Sequence, residues 1–191
     1  MKKFDASLRR LFCYYKAMHS ELLDLVNKND EVIGTIDRLD YERMLADNLG
    51  YIRASDLFIL NSDGKIFVPI RTADKHHAPN GFDYSVGGHV SAGEDYLTAI
   101  IREAEEELNI VLAPDDIECI GKDISDKSRY IRSIYLVRSD ETPQYNPSDF
   151  KSAQWMYPAD LVSAIDKGHP TKSSLKSVSY THLTLPTNRE V

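Results

Sequence analysis

Glu103, Glu106 and Glu107 stand at i, i+3 and i+4, so on a helix their carboxylates share one face. Like charges so placed repel: at an effective dielectric near 20, a pair ~4 Å apart costs on the order of 4 kcal/mol. Such a face is tolerated when the acids are fully solvated or when cations lie between them. Hard divalent ions with oxygen ligands, Mg²⁺ with Mn²⁺ as the alternative, suit it. The window from Glu94 to Glu107 holds six acids (Glu94, Asp95, Glu103, Glu105, Glu106, Glu107) against the single cation Arg102. For the bare pattern a solvated acidic helix face is the commoner explanation. The neighbours shift the balance. Gly87 and Gly88 end a strand-like run, where backbone can approach a ligand closely. Glu94 lies just ahead of the helix, and Arg102 can pair with Glu106 four residues on.

The elements that must position these residues are readable from periodicity. Tyr96–Leu108 carries Leu97, Ile100, Ile101, Ala104 and Leu108 along one side, with the acids largely opposite, so an amphipathic helix begins at Asp95 or Tyr96. Before it, residues 31–37 alternate and are β-branched, which predicts a strand. A short helical stretch is expected over 41–46. Residues 56–71 form two apolar runs around Asn61-Ser62-Asp63-Gly64, the residue types of a tight turn, so a hairpin is expected. A polar loop over 72–80 leads into FDYSVGGHV at 82–90. After the helix, strands are expected at 117–124, 130–138 and 153–157, and Pro158 opens a helix to about Ile165. Strands interleaved with helices indicate an α/β or α+β sandwich.

Residues 4–26 place Phe4, Leu8, Leu11, Phe12, Tyr15, Met18, Leu22 and Val26 at helical spacing. This predicts a helix packed on the main domain or on a second copy, a plausible homodimer element. Residues 178–191 lack the patterning of what precedes them and resemble a translated adapter found on unrelated reading frames, so they are set aside. The division expected is an N-terminal helical extension over 1–21, one domain over 22–177, and a non-native tail.

Composition narrows the function. The 191 residues carry 23 basic and 30 acidic side chains, a net charge of −7, which argues against a nucleic-acid polymer as partner. No apolar run approaches the ~18 residues of a membrane span, and no secretory signal is evident, so a cytoplasmic location is expected. Cys13 and Cys119 have no metal-ligand spacing and read as buried or half-buried apolar residues in a reducing compartment.

Written out, Gly88, five residues, Glu94, seven residues and then Arg102-Glu103-Ala104-Glu105-Glu106-Glu107-Leu108-Asn109-Ile110 resembles the Nudix box. This is the signature of hydrolases that cleave nucleoside diphosphates linked to another moiety. Glycine, arginine and all four signature glutamates are at the family spacing. Asn109 replaces the usual glycine, and asparagine is the next best residue for a left-handed cap. Ala104 is smaller than the usual aliphatic. The likeness extends over about 22–172, and EVIGTIDR, the Arg71/Lys75 loop and the Pro79…Asp83…GGH run look most like the branch related to isopentenyl-diphosphate isomerase.

The resemblance implies an α/β/α sandwich around a mixed β-sheet and a Mg²⁺-dependent hydrolase of a diphosphate linkage in a small-molecule substrate. It implies metal ligation by Glu103, Glu106 and Glu107, with Glu94 as a further ligand or an outer partner, and Arg102 as the residue that orients them. Asp149, six residues before Trp155, occupies a place where relatives often carry a glutamate, which makes it a candidate outer ligand or base; a solvated loop acid explains it equally. Arg71 and Lys75 could meet substrate phosphates or simply be solvated, and Gly87 and Gly88 would line the substrate. His76, His77 and His89 could form a rim, though paired loop histidines are more often exposed. Trp155 and Tyr157 are expected in the core. Two alternatives share the fold. An isomerase needs, by family resemblance, a cysteine just before the box, and residues 72–87 contain none. A silent Nudix-like sensor would be expected to have lost box glutamates, and all are present.

Overall fold

The computed structural model describes residues 21–172 and 174–184. Its centre is β3 (Tyr51–Leu60), a strand buried along almost its whole length. β3 runs parallel to β7 (Tyr130–Arg138) from the Ile52–Tyr130 pair to the Leu60–Arg138 pair. Its stretch Ala54–Leu57 also pairs antiparallel with β5 (Val86–His89). β1 (Leu22–Val26) and β2 (Val32–Asp37) form an antiparallel hairpin joined to the start of β3. β4 (Ile66–Arg71) pairs antiparallel with β8 (Phe150–Met156), and β6 (Glu118–Ser125) with β7. The sheet is therefore mixed.

Side-chain alternation assigns the two faces. Leu57, Ile59, Tyr135 and Val137 point to one side, where Ile100, Ala104 and Leu108 of α2 (Tyr96–Leu108) cover them together with Phe67, Val86 and Phe150. Phe58, Ile134 and Leu136 point to the other, against Leu161 of α3 (Pro158–Asp166) and Leu175 and Val178 of α4 (Leu175–Ser179). Helix, sheet and helix make the α/β/α sandwich. The short α1 (Tyr41–Asp47) buries Met44 against Leu23, Ile36 and Ile52 at the β1–β2 end.

Several expectations change in detail. The helix foreseen over 4–26 lies outside the described residues up to Ser20, and from Leu22 the chain is strand β1. Leu23 and Val26 are fully buried there, and Asp24 is enclosed with them, accepting from Gly93 N–H at 3.1 Å. Apolar spacings of three and four in so short a run did not decide between helix and strand. The 56–71 hairpin keeps its turn, with Gly64 at φ 77° and Gly64 N–H donating to Asn61 O at 3.0 Å. Its arms share only the Leu60–Ile66 pair, because β3 continues against β5 and β7 while β4 leaves for β8. Cys119 is exposed on β6 rather than buried, and Tyr157 is 48% exposed beneath the Lys65 ammonium. Trp155 does pack, edge-on to Phe67 with ring centroids 5.5 Å apart. Of the stretch set aside from residue 178, Val178 and Ser179 are buried at the end of α4. Cys13 lies outside the described residues.

Candidate active site

The box helix α2 is fixed at both ends by its own side chains. Asp95 caps the start, accepting from Thr98 N–H at 2.8 Å. Asn109 ends it in the left-handed region at φ 62°, with its N–H on the Ala104 and Glu105 carbonyls. Between them one face packs on β5. Gly88 faces Glu103 so closely that a Cβ there would overlap the carboxyl group, and at Gly87 a Cβ would overlap Asp56 Oδ1. Neither glycine has the positive φ that would demand one. Their smallness makes room for two carboxylates of the protein itself.

Arg102 organises the acids. Its guanidinium donates to Glu94 twice (Nε to Oε1 and Nη2 to Oε2, both 3.0 Å), to Glu103 Oε1 at 2.6 Å and to the His89 carbonyl at 3.1 Å. Glu106 Oε1 lies at 3.6 Å from the same Nη1. Burial would lower the arginine's proton affinity, but the bonds and charges of Glu94 and Glu103 outweigh it and raise it further. At Glu94 burial opposes ionisation, yet Arg102 and the Ser91 N–H hold the carboxyl below its ordinary value.

Glu107 behaves differently. Its Oε2 accepts from Gly87 N–H at 3.1 Å. Burial first, then the charges of Glu103, Asp149 and Asp83, push its carboxyl well above the usual carboxylate range, with the Lys172 ammonium as counterweight. Its residue surface is half-buried. Three carboxylates crowd a fourth that has too little positive charge nearby. Among the described residues no three of His, Cys, Asp and Glu converge as a ready-made metal cage. Arg102 occupies the space between Glu94, Glu103 and Glu106, while Glu107 turns to β5.

Asp149 reaches the site from the opposite side. The loop before β8 is tied to the helix end by Asn146 N–H on the Glu107 carbonyl at 2.7 Å, which puts Asp149 within electrostatic reach of Glu107. Lys75 Nζ meets Asp149 Oδ1 at 2.6 Å. Arg71 pairs with Asp83 and donates to the His77 carbonyl at 2.8 Å. Both loop cations are thus already engaged by acids of the chain. His76 and His77 are exposed, and His89 is half-buried with Nε2 at 2.9 Å from the Tyr130 hydroxyl.

Four further charged residues belong to the site's foundation. Asp56 and Arg132, both buried, pair at 3.1 Å across β3 and β7. Asp83, also buried, sits between Arg71 and Lys172. An acid and a guanidinium inside the apolar strands DLFIL and YIRSIYLV are a legible signal, since charges at such positions are almost never buried unpaired. Lys172 gives no such signal, lying far from the box in a polar stretch.

A family model for the NUDIX domain matches residues 50–177. An uncharacterised Nudix hydrolase of Nostoc sp. is 38% identical over 157 residues, covering 81% of this chain and 91% of the relative. A Nudix hydrolase of Deinococcus radiodurans is 37% identical over 162 residues, covering 81% and 90%. Among solved structures, the crystal structure of DR0079 from Deinococcus radiodurans superposes with a TM-score of 0.74 at 35% identity, over 85% of this chain and 99% of that one. A NUDIX hydrolase from Alicyclobacillus acidocaldarius, at 14% identity and a TM-score of 0.57 over 71% of this chain and 92% of its own, shares the fold. The box on α2, the mixed sheet that carries it and these likenesses place the chain in the Nudix hydrolase family, whose members hydrolyse pyrophosphate linkages in nucleoside diphosphate derivatives and generally use divalent cations.

Proposed function

We propose that this chain is a Mg²⁺-dependent hydrolase of a diphosphate linkage in a nucleoside diphosphate derivative or a similar small molecule. Glu103, Glu106 and Glu107 are its metal-holding acids. The observation that carries this is the gathering of acids at the box helix: Arg102 holds Glu94, Glu103 and Glu106 together, and Glu107 beside them accepts from Gly87 N–H, its ionisation opposed by burial first and then by Glu103, Asp149 and Asp83. A divalent cation relieves that crowding, and the donors available are all hard oxygens. When bound, it neutralises phosphate oxygens and acidifies the attacking water.

The chain's own residues do the rest. Arg102 holds Glu94 and Glu103 by three hydrogen bonds from one planar guanidinium, a geometry that a lysine could not reproduce. Glu94 acts through Arg102 and as an outer partner. Gly87 N–H fixes one Glu107 oxygen, and the other would face the ion. Water attacks one phosphorus of the X–O–P–O–P–O–R linkage, the bridging P–O bond breaks, and the leaving phosphate departs with the bridging oxygen. The proton of the attacking water passes to Glu107 or Asp149. Lys75 and Arg71, held by Asp149 and Asp83, would share those bonds with substrate phosphates.

The test is a screen of nucleoside diphosphate derivatives with Mg²⁺, Mn²⁺ and chelator, run on wild type, Glu106→Gln, Glu107→Gln and Asp149→Asn. Metal-dependent release of phosphorylated products by wild type alone supports the reading. Equal inertness of all four proteins on every compound contradicts it. Loss of kcat in Asp149→Asn with metal affinity unchanged assigns the proton acceptor to Asp149.

A further inference from the structure

Lys172 enters the site from the far end of the fold, on a segment whose backbone is fastened on both sides. Phe82 N–H donates to the Pro170 carbonyl at 2.9 Å and Lys172 N–H to the Phe82 carbonyl at 3.1 Å. The His169 ring stacks on Phe82 with centroids 3.8 Å apart and planes 14° from parallel. Gly81 leaves no room for a side chain, since a Cβ there would lie 2.9 Å from the Pro170 carbonyl. The lysine's starting point is therefore fixed relative to Phe82, four residues ahead of β5.

Its ammonium ends beside Gly87, 3.2 Å from where a Cβ of that residue would be, and Gly87 is the residue whose N–H holds Glu107. Two acids and three cations meet here. Arg132 is hydrogen-bonded to Asp56, and Arg71 to Asp83. Lys172 is the third cation, at 3.4 Å from Asp83 Oδ1 and 3.9 Å from Asp56 Oδ1, and it forms no side-chain hydrogen bond among the described residues. Asp56 Oδ1, fully buried, is likewise without a hydrogen-bond partner there. An ammonium has three donors, so this one is attracted by its neighbours without being saturated by them. The side chain keeps 23% of its surface exposed, which leaves an approach from solvent. An anion with several acceptor oxygens completes this arrangement, and a phosphate of the diphosphate linkage is the anion the neighbouring acids' metal would bring.

We propose that Lys172 is a substrate-binding residue whose ammonium, set beside Gly87, takes a phosphate oxygen of the bound diphosphate. The inference rests on the hydrolase reading above. The competing role is structural, neutralisation of Asp56, Asp83 and Glu107.

Methylenediphosphonate, a diphosphate mimic that cannot be hydrolysed, separates the two. With Mg²⁺ present, Lys172→Gln is expected to bind it about ten- to a hundredfold more weakly than wild type, the loss of one charge-assisted hydrogen bond. Lys172→Arg, which keeps the charge, should recover most of that affinity. In wild-type protein the Cε–Hε signal of Lys172, assigned through the Lys172→Arg spectrum, should shift on titration, which keeps the test available if Lys172→Gln does not fold. Unchanged phosphonate affinity in Lys172→Gln, or a Lys172 signal that stays put while wild type binds, overturns the proposal and leaves the hydrolase reading standing. Wild type that binds no phosphonate with Mg²⁺ present overturns both.

Discussion

Arg102 is surrounded by three acids of its own segment, and the geometry explains why no other cation would serve. One plane of nitrogens reaches both oxygens of Glu94, one of Glu103 and a backbone carbonyl, a fork that a lysine ammonium cannot span. Outer partners of metal-ligating carboxylates set their orientation, and losing one typically weakens metal binding about ten- to a hundredfold. Arg102→Lys should therefore lower Mn²⁺ affinity by about that factor, read by electron paramagnetic resonance titration. Unchanged affinity would show that Glu103 and Glu106 need no orienting. At Gly88 the prediction concerns space. A methyl group there collides with the Glu103 carboxyl, and overpacking of this kind costs about 1–3 kcal/mol. Gly88→Ala should melt at a lower temperature and lose most of its activity, whereas a variant with wild-type melting and turnover would mean that Glu103 moves aside freely. The box acids were legible as a set because their spacing repeats the helix period. Their divergence, with Glu107 turned to β5 and Glu106 to Arg102, was not, since it depends on which strand lies opposite.

The box helix is set by ordinary terminal chemistry, and its sequence says so. Asp95 at the start and Asn109 at the end frame a stretch whose buried residues Ala99, Ile100, Ala104 and Leu108 recur at helical spacing. Asn109 adopts φ 62°, a conformation that costs most L-residues about 1–2 kcal/mol. Asn109→Gly should leave the melting temperature the same or slightly higher, and Asn109→Val should lower it by an amount of that order. Equal melting of the two would indicate a cap that is not required. Strands were harder to read than helices. β3 begins five residues before the run that announced it, because Ser55 and Asp56 interrupt its apolar pattern while being fully buried. Each has its partner on another element: Ser55 Oγ donates to the Tyr96 carbonyl, and Asp56 is paired with Arg132. Polarity in the sequence implied exposure, and only the tertiary partners cancel that implication. β1 was taken for helix for a related reason, its five residues being too few to show a period.

At the scale of the molecule, one acid ties together elements distant in sequence. Asp30, in the β1–β2 turn at φ 67°, pairs with Arg53 of β3 at 2.6 Å and with Lys122 of β6, and accepts from the Tyr96 hydroxyl at the start of α2 at 3.0 Å. Burial opposes its ionisation, but the Lys122, Arg53 and Tyr96 bonds outweigh burial and hold its carboxyl below the ordinary aspartate value. A carboxyl depressed in the folded state contributes stability that is fully present above its unfolded pKa of about 4 and is lost as pH falls through the lower folded value. The melting temperatures of wild type and Asp30→Asn should therefore differ most from pH 5 upward, by about one to a few degrees given a domain of this size, and converge as pH drops below about 4. A gap that widens in acid would contradict the assignment. Sandwich architecture followed from the alternation of strands and helices, while the wiring of charges beneath the site joins residues too far apart in sequence to be paired by reading it. The central proposal is that Glu103, Glu106 and Glu107 hold a divalent cation against a bound diphosphate. Calorimetric titration of Mg²⁺ into wild type saturated with methylenediphosphonate, beside Glu106→Gln and Glu107→Gln, tests it most directly. Saturable one-site binding by wild type, weakened at least about tenfold in each variant, is the predicted result; titrations of all three proteins that show the same heat, or none, would contradict it.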